Sequence, residues 1–419
     1  MSEPKNSPSG GLAAFASPSF TFFQLARLFI VLALEMQAVA IGWQVYEITK
    51  RPLDLGLLGL AQFLPGIVLF LISGHVADRV DRRKLLVACY AGFGVCSALL
   101  LAISIPRILG GASTVYAIYG VSVLLGVVRS FNGPVSRALL PQLVPAEHFQ
   151  NAVAWGSSTF QWATILGPSL GGVVYAMFNS PVSVYGLAVA AAIAAVLCGL
   201  RIKPQAQEWA REPLSANTVF AGFRYIWKEK IILGSISLDL FAVLLGGAVA
   251  LLPVYAREIL LTGPWGLGIL RSAPGVGAGA MAIYLANRPL RGRAGATMLW
   301  CVAGFGVFTI VFGVSRNLAV SLMALALIGA TDMVSVIIRA TLIQVNTPNE
   351  MRGRVNAVDM VFIGASNELG QFESGVTAAW FGTVPAVVLG GIGTLLVTAA
   401  WAWFFPELRR ADQLTDTTG

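Results

Sequence analysis

The stretch GHVADRVDRRK, Gly74–Lys84, places a dense group of charges in a chain in which only 11% of residues are Asp, Glu, Lys or Arg. Long apolar runs lie on both sides of it. Hydrophobic residues make up 56% of the 419 residues, and the mean hydropathy is +0.76. A soluble domain of this length does not carry so much apolar surface. The chain is therefore predicted to be a membrane protein, and the charged stretch one of its loops.

Twelve apolar runs are long enough to cross a bilayer, because a hydrocarbon core of about 30 Å requires roughly 20 helical residues. The predicted spans are 22–48, 56–77, 85–105, 113–131, 152–178, 181–200, 231–255, 265–285, 294–314, 318–343, 355–381 and 384–405. They give two six-helix bundles, at 22–200 and 231–406. Residues 1–21 are predicted to be a disordered cytoplasmic N-terminus, 201–230 a cytoplasmic linker and 407–419 a cytoplasmic tail.

The loop charges predict the orientation of these spans. Most basic residues fall in loops on one side, and the other side has only Lys50, Arg51, Arg107, Arg257 and Arg316. Because Lys and Arg near helix ends remain cytoplasmic, both termini are predicted to lie in the cytoplasm. The net charge of +8 follows from this bias and does not indicate nucleic-acid binding.

The two halves of the chain resemble each other. RALLPQLVPAE, Arg137–Glu147, is similar to RATLIQVNTPNE, Arg339–Glu350, and the tripeptide NAV follows at Asn151 and at Asn356. This repeat predicts an internal duplication of six helices, a plan found in many secondary transporters. In the linker, apolar residues fall on one helical face beside basic ones, which predicts a helix lying at the membrane interface: Val219, Phe220, Phe223, Ile226 and Trp227.

The opening stretch carries more than the basic residues that orientation needs. Its pattern resembles the signature loop of the major facilitator superfamily, and the matching residues are Gly74, Asp78, Arg79, Arg82 and Arg83. Asp81 stands where that pattern has a second glycine. The resemblance covers nearly the whole chain and implies an all-α membrane protein of twelve transmembrane helices. It also implies that Asp78 acts as a cytoplasmic gate near the start of the eleventh span, with Glu350, Arg352 and Arg354.

Two further motifs resemble the same superfamily. Arg129 and Gly133 match its fourth-helix motif, and GPSLGG matches the core of the antiporter motif of its exporter branch, through Gly167, Pro168, Gly171 and Gly172. Pro168 weakens the helix and the glycines permit close helix packing, so ordinary packing stays an alternative. In sequence the chain is most similar to the enterobactin-exporter-like group, including NELGQFESG in the eleventh span.

Ionisable residues inside the predicted spans are candidates for ion coupling or substrate binding, because charge in a bilayer is costly. They are Glu35, Arg129, Asp239, Arg271, Asp332, Arg339, Glu368 and Glu373. In the duplication Glu35 corresponds to Asp239, and Arg129 to Asp332. We predict the first two as a proton pair and the last two as coupled across the halves, with purely structural pairing as the alternative.

The eleventh span adds a third candidate group. Glu368 and Glu373 lie about 140° apart around a helix, so both cannot face a cavity equally. Glu368, with Asn367 and Gln371, is predicted to face the cavity.

The resemblance implies an inner-membrane exporter of a small amphiphilic molecule, working by alternating access and driven by protons. It would act as a monomer in the lipid bilayer, without cofactor or metal. A facilitator or a lipid translocator of the same fold, without proton coupling, is the alternative. A membrane enzyme would need clustered catalytic residues, and the dispersed cysteines and histidines of this sequence predict none.

Overall fold

The computed structural model describes residues 11–105, 110–204, 216–288 and 292–411, and at residues 70, 71, 75, 77, 78 and 216–220 it describes the backbone alone. The first six helices are α1 (Pro18–Thr49), α2 (Pro52–Arg79), α3 (Arg82–Ser104), α4 (Ala112–Leu139), α5 (Phe149–Phe178) and α6 (Pro181–Arg201). The remainder are α7 (Ala216–Lys228), α8 (Lys230–Gly246), α9 (Leu252–Val254), α10 (Gly263–Asn287), α11 (Ala294–Val314), α12 (Leu318–Asn346), α13 (Asn349–Phe381), α14 (Thr383–Phe404) and α15 (Pro406–Arg409). The predicted all-helical class is confirmed.

Ten segments among the described residues are long and apolar enough to cross a membrane, one of them running from α8 through α9. Two further helices, α5 with 30 residues and α13 with 33, have comparable length. Both contain polar runs, such as SSTFQ in α5 and SNELGQ in α13, which lower their hydropathy. These segments coincide with the twelve predicted spans.

Tertiary contacts divide the chain into two compact units. Unit 1 comprises Met1–Ile41 and Leu64–Leu214, and unit 2 comprises Gly42–Phe63 and Ser215–Gly419. Residues 42–63, assigned above to the first bundle, thus group with the second half. In unit 1, α3 packs against α4 and α6, and in unit 2 α11 packs against α12 and α14. These are equivalent helices of the two repeats, so the duplication extends to the packing.

The N-terminus differs from its prediction. Residues 11–17, which we call the N-terminal clasp, include a 3₁₀ helix at Ala13–Ala16 and dock on unit 1. The Gly11 carbonyl accepts hydrogen bonds from Asn151 Nδ2 at 2.9 Å and Trp155 Nε1 at 2.6 Å. The Phe15 ring packs edge-on against Trp155, with centroids 5.2 Å apart. Disorder was therefore the wrong prediction from residue 11 onward, and residues 1–10 lie outside the described part.

The seventh predicted span, 231–255, is not one continuous helix. Regular helix ends at Gly246, and a 3₁₀ turn (Ala248–Leu251), α9 and a π-helical turn (Tyr255–Ile259) follow. Two adjacent glycines and Pro253 explain the break, since glycine weakens a helix interior and proline removes a backbone donor. The Gly247 carbonyl is satisfied by a hydrogen bond from Ser374 Oγ at 2.9 Å, as the membrane interior requires.

Helix α7 of the linker packs on unit 2. Ile226 is buried in a cluster with Ile232, Ile236, Ile343, Val355 and Val358. Tyr225 Oη donates to the Asn346 carbonyl at 2.8 Å, and burial, followed by the Glu229 carboxylate, raises the pKa of Tyr225. Phe223 and Trp227 remain exposed, and the side chains of Val219 and Phe220 lie outside the description. The predicted amphipathic helix is thus also a packed element of the fold.

Candidate transport site

Four charged residues converge inside unit 2, and we call them the acidic cluster: Asp239 of α8, Asp332 and Arg339 of α12, and Asp359 of α13. Arg339 Nη1 forms an ion pair with Asp239 Oδ2. Arg339 Nε lies 3.6 Å from Asp359 Oδ1. The side chain of Arg339 is only 3% exposed, and those of Asp239 and Asp359 are 8% and 14% exposed. Arg339 therefore joins three helices of the unit through buried charge.

Asp332 completes the cluster beside a small cavity. It precedes Arg339 by seven positions, about two helical turns, so both side chains fall on one face of α12. The cavity has a volume of about 10 Å³. Its lining residues are Asp239, Ala242, Val243, Cys301, Val302, Phe305, Thr331, Asp332 and Ser335. The Ser335 hydroxyl is buried, and no described residue forms a hydrogen bond with it. Such a space holds about one water molecule.

The charges of the cluster do not balance. Three carboxylates surround one guanidinium, and excess charge in a low-dielectric interior is costly. Uptake of a proton by one carboxylate would remove part of that cost. The arrangement is thus chemically able to hold and release a proton.

In unit 1 the antiporter motif packs against α1 beside Glu35. A Cβ on Gly167 would lie 2.5 Å from the Cβ of Glu35, and one on Gly171 would lie 2.7 Å from the Cα of Met36. Pro168 and Gly172 are buried within α5, which continues unbroken to Phe178. The motif therefore permits a backbone approach that larger residues would prevent. The predicted relation of Glu35 to Asp239, and of Arg129 to Asp332, joins residues of different units and stays a prediction.

The third candidate group lies on α13. Gln371 Nε2 donates to Glu368 Oε2 at 3.2 Å, and a Cβ on Gly59 of α2 would lie 3.2 Å from the Gln371 Cβ. Asn367 is exposed and donates to the Ile363 carbonyl at 2.8 Å. The structure therefore brings Glu368 and Gln371 together beside Gly59, and Asn367 does not join them.

Side chains of the signature loop form hydrogen bonds at helix ends of unit 1. Asp81 caps α3 by accepting from the Lys84 amide at 3.0 Å, which explains an acidic residue where the superfamily pattern has glycine. Arg82 Nη1 donates to the Ala138 carbonyl at 3.4 Å, and Arg83 donates to the carbonyls of Gly199 and Leu200. These carbonyls end α4 and α6, where cations are favourable. Gly74 is buried, Arg79 is exposed, and the Asp78 side chain lies outside the description.

An arginine also fixes the turn between α12 and α13 in the second half. Arg352 Nε donates to the carbonyls of Gln344 and Thr347, each at 3.1 Å, and so fixes the turn between α12 and α13. Arg354 packs through its backbone on Gly222 of α7. Glu350 lies in the first turn of α13 and is exposed. Its predicted gating contact with Asp78 stays a prediction.

Several polar residues were not singled out from the sequence. Asp359 lies within the predicted span 355–381, so the rule that selected Asp332 would also have found it. Gln24, Arg27 and Gln37 lie within α1, and Gln37 Oε1 accepts from Ser97 Oγ at 2.7 Å. A search for ionisable residues does not select glutamine, although a glutamine buried in a membrane-spanning helix also indicates a functional or paired polar site.

Comparison with known proteins gives a consistent family. Residues 9–417 match the family described as transmembrane secretion effector. The enterobactin exporter EntS of Citrobacter koseri is 26% identical over 406 residues, which cover 94% of each chain. A bacterial homologue of the human lysosomal transporter Spinster, in an inward-facing and unoccupied conformation, has a TM-score of 0.73 at 11% identity, covering 94% of this chain and 97% of that one.

A second solved structure shows the same fold. The nucleoside transporter NupG, in a mutant form, has a TM-score of 0.71 at 12% identity, covering 92% of this chain and 100% of that chain. The match to the family extends over nearly the entire sequence, and the helices, the signature loop and the repeat agree with it. The chain therefore belongs to the transmembrane secretion effector family and is a multi-pass membrane transporter of the major facilitator superfamily.

Proposed function

We propose that this transporter exports a small amphiphilic, siderophore-like molecule from the cytoplasm in exchange for protons, by alternating access. It would act as a monomer in the inner membrane, with both termini cytoplasmic. The similarity to an enterobactin exporter supports the direction and the substrate class. The single observation that carries the proton coupling is the acidic cluster, where buried carboxylates outnumber the guanidinium.

Within the cluster, Asp332 is the proposed proton carrier. Asp239 and Asp359 lie against Arg339, which supplies both with a counter-charge. Asp332 lines the small cavity, where one water molecule would connect it to the Ser335 hydroxyl. Protonation of Asp332 leaves the cluster with less negative charge, and this change would favour one conformation over the other.

The test is substrate transport by the purified protein in liposomes with an imposed pH gradient, with enterobactin as the probe. We expect wild-type protein to accumulate enterobactin against its gradient and Asp332→Asn to lose accumulation while keeping downhill exchange. Glu373→Gln is the matched control, because Glu373 lies outside the cluster and accepts a hydrogen bond from Thr377 at 2.7 Å. Accumulation by Asp332→Asn at the wild-type level would remove this residue from the coupling role.

The same assay separates the alternatives. If wild-type transport ignores the pH gradient, the protein is a facilitator or a lipid translocator rather than an antiporter. If coupling survives in Asp332→Asn but fails in Glu35→Gln or Asp239→Asn, the proton pair predicted from the duplication carries the ion instead.

A further inference from the structure

A cation that pairs with no carboxylate among the described residues lies inside unit 1. Arg27 of α1 is partly buried, and among the described residues no carboxylate lies within ion-pair distance of it. It lies nine residues from the start of α1 at Pro18, about 13 Å along the helix axis. Its guanidinium carbon is 5.8 Å from the centroid of the Phe160 ring of α5. An arginine at such a depth is usually paired or functional.

A second unpaired group lies beside it. Gln24 is one helical turn earlier on α1 and is 4% exposed, yet neither atom of its side-chain amide finds a hydrogen-bond partner in the part of the chain that the structure describes. A buried polar group without a partner is costly, and native proteins retain few of them. Gln24 therefore offers unused donors and acceptors next to an uncompensated positive charge.

Helix α5 supplies the remaining wall. A Cβ on Gly156 would lie 2.9 Å from Arg27 Nη1 and 3.6 Å from Gln24 Nε2. The absence of a side chain at Gly156 thus leaves room for both groups. Phe160, one turn further along α5, is 46% exposed and presents an aromatic surface below the guanidinium.

We propose that Gln24, Arg27 and Phe160 form a subsite that binds the acidic group of an aromatic substrate. This inference rests on the proposed function and specifies its substrate class. A carboxylate or phenolate would receive charge-assisted hydrogen bonds from Arg27, and its ring would stack near Phe160. The Gln24 amide would complete the hydrogen bonds of the anion. All three residues belong to unit 1, whereas the acidic cluster belongs to unit 2.

The experiment measures binding to the purified full chain in a neutral detergent, by isothermal titration, with no pH gradient. The probes are 1-naphthoate, its neutral isostere 1-naphthamide, and an anionic lysophospholipid. We expect wild-type protein to prefer the acid over the amide by about tenfold or more, since a hydrogen bond to a charged group contributes that much. Arg27→Gln should remove the preference, and Gln24→Leu should reduce it.

Arg201→Gln is the matched control. Arg201 also lies in unit 1 with its guanidinium 6.0 Å from an aromatic ring, that of Phe22, and Phe22 is about 200° around α1 from Gln24. It should keep the wild-type preference. Phe160→Leu, at a position that is 46% exposed, should keep the preference for the acid over the amide while weakening the binding of 1-naphthoate, because the contact between the two rings is lost. This variant keeps the test decisive if Arg27→Gln fails to fold.

Three results would overturn the subsite. The first is that wild-type protein binds the acid and the amide with equal affinity, and the second is that the preference for the acid remains in Arg27→Gln. The third is that only the lysophospholipid binds in a way that depends on Arg27, which would make Arg27 a lipid contact. Because binding is measured without a gradient, its outcome is independent of proton-driven export. If wild-type protein exports the substrate with proton coupling but does not prefer the acid, the subsite alone is rejected. If it prefers the acid but shows no proton-coupled export, the proton coupling alone is rejected.

Discussion

The interiors of units 1 and 2 share a helix arrangement and differ in chemistry. In unit 1 the buried polar groups on α1 are the amides of Gln24 and Gln37, and the partly buried Arg27 and Glu35 lie on the same helix. In unit 2 the corresponding interior holds carboxylates around Arg339. Equivalent helices still pack against one another in both units. Duplication therefore preserved the apolar packing while the polar positions diverged, and the proposals above assign anion binding to unit 1 and proton coupling to unit 2.

The largest effect that distinguishes the units is expected from their central arginines. Arg339→Met leaves Asp239 and Asp359 buried without a counter-charge, which should cost about 3 to 5 kcal/mol. Arg27→Met in unit 1 strands no carboxylate and should cost much less. The measurement is the thermal unfolding midpoint of each purified variant in the same detergent.

The same comparison can be strengthened by a rescue. Combining Arg339→Met with Asp239→Asn and Asp359→Asn removes the stranded charges, so the midpoint should recover in part. If Arg339→Met and Arg27→Met unfold at the same temperature, buried charge does not distinguish the two units.

A smaller loss of stability is expected when glycines at close helix contacts are replaced by alanine. In unit 2 a Cβ on Gly277 of α10 would overlap the Ala326 carbonyl of α12, whereas in unit 1 a Cβ on Gly171 would meet Met36 at 2.7 Å. Gly277→Ala should therefore destabilise more than Gly171→Ala, by about 1 to 3 kcal/mol, because the closer approach requires a larger displacement of the facing helix. Gly120→Ala is the control, since nothing lies within 4 Å of its Cβ position. Equal midpoints for all three variants would contradict the tighter packing of unit 2.

The smallest effect is expected at a partly exposed ion pair within unit 2. Arg257 Nη1 lies 3.2 Å from Glu47 Oε1, with side chains 26% and 47% exposed. A double-mutant cycle with Glu47→Gln and Arg257→Gln should give a coupling of about 0.2 to 1 kcal/mol. Added salt should weaken it, unlike the buried pairs of Arg339. A coupling that is large and insensitive to salt would show that this pair behaves as part of the interior.

The fold could be predicted because its determinants are local. Twenty-residue apolar runs, the repeat at Arg137 and Arg339, and the signature loop all appear as contiguous sequence. The break after Gly246 was missed because hydropathy counts apolar residues and ignores the weakness of paired glycines. The clasp was missed because Ser, Pro, Gly and Ala are typical of disorder, although small residues such as Ala14 also fit where larger ones would not.

The candidate site could be predicted only in part. The cost of charge in a bilayer selected Asp239, Asp332 and Arg339 as separate candidates. Their convergence depends on the crossing of α8, α12 and α13, and contacts between residues about a hundred positions apart leave no mark in a single sequence. Pseudo-symmetry suggested Glu35 as the counterpart of Asp239, whereas the ion partner of Asp239 in the structure is Arg339, from its own unit.

The N-terminal clasp sets an order of events during synthesis. Ala14 donates to Asn151 Oδ1, and Ser17 donates to the Leu143 carbonyl, partners 137 and 126 positions away. At about 5 to 20 residues per second, these partners leave the ribosome roughly 6 to 27 seconds after the segment that binds them. The clasp must therefore remain undocked while α2, α3 and α4 are made. Docking of the clasp therefore requires that α1 to α4 and the first residues of α5 have been made. Site-specific crosslinking between Phe15 and Trp155 on stalled nascent chains would detect it.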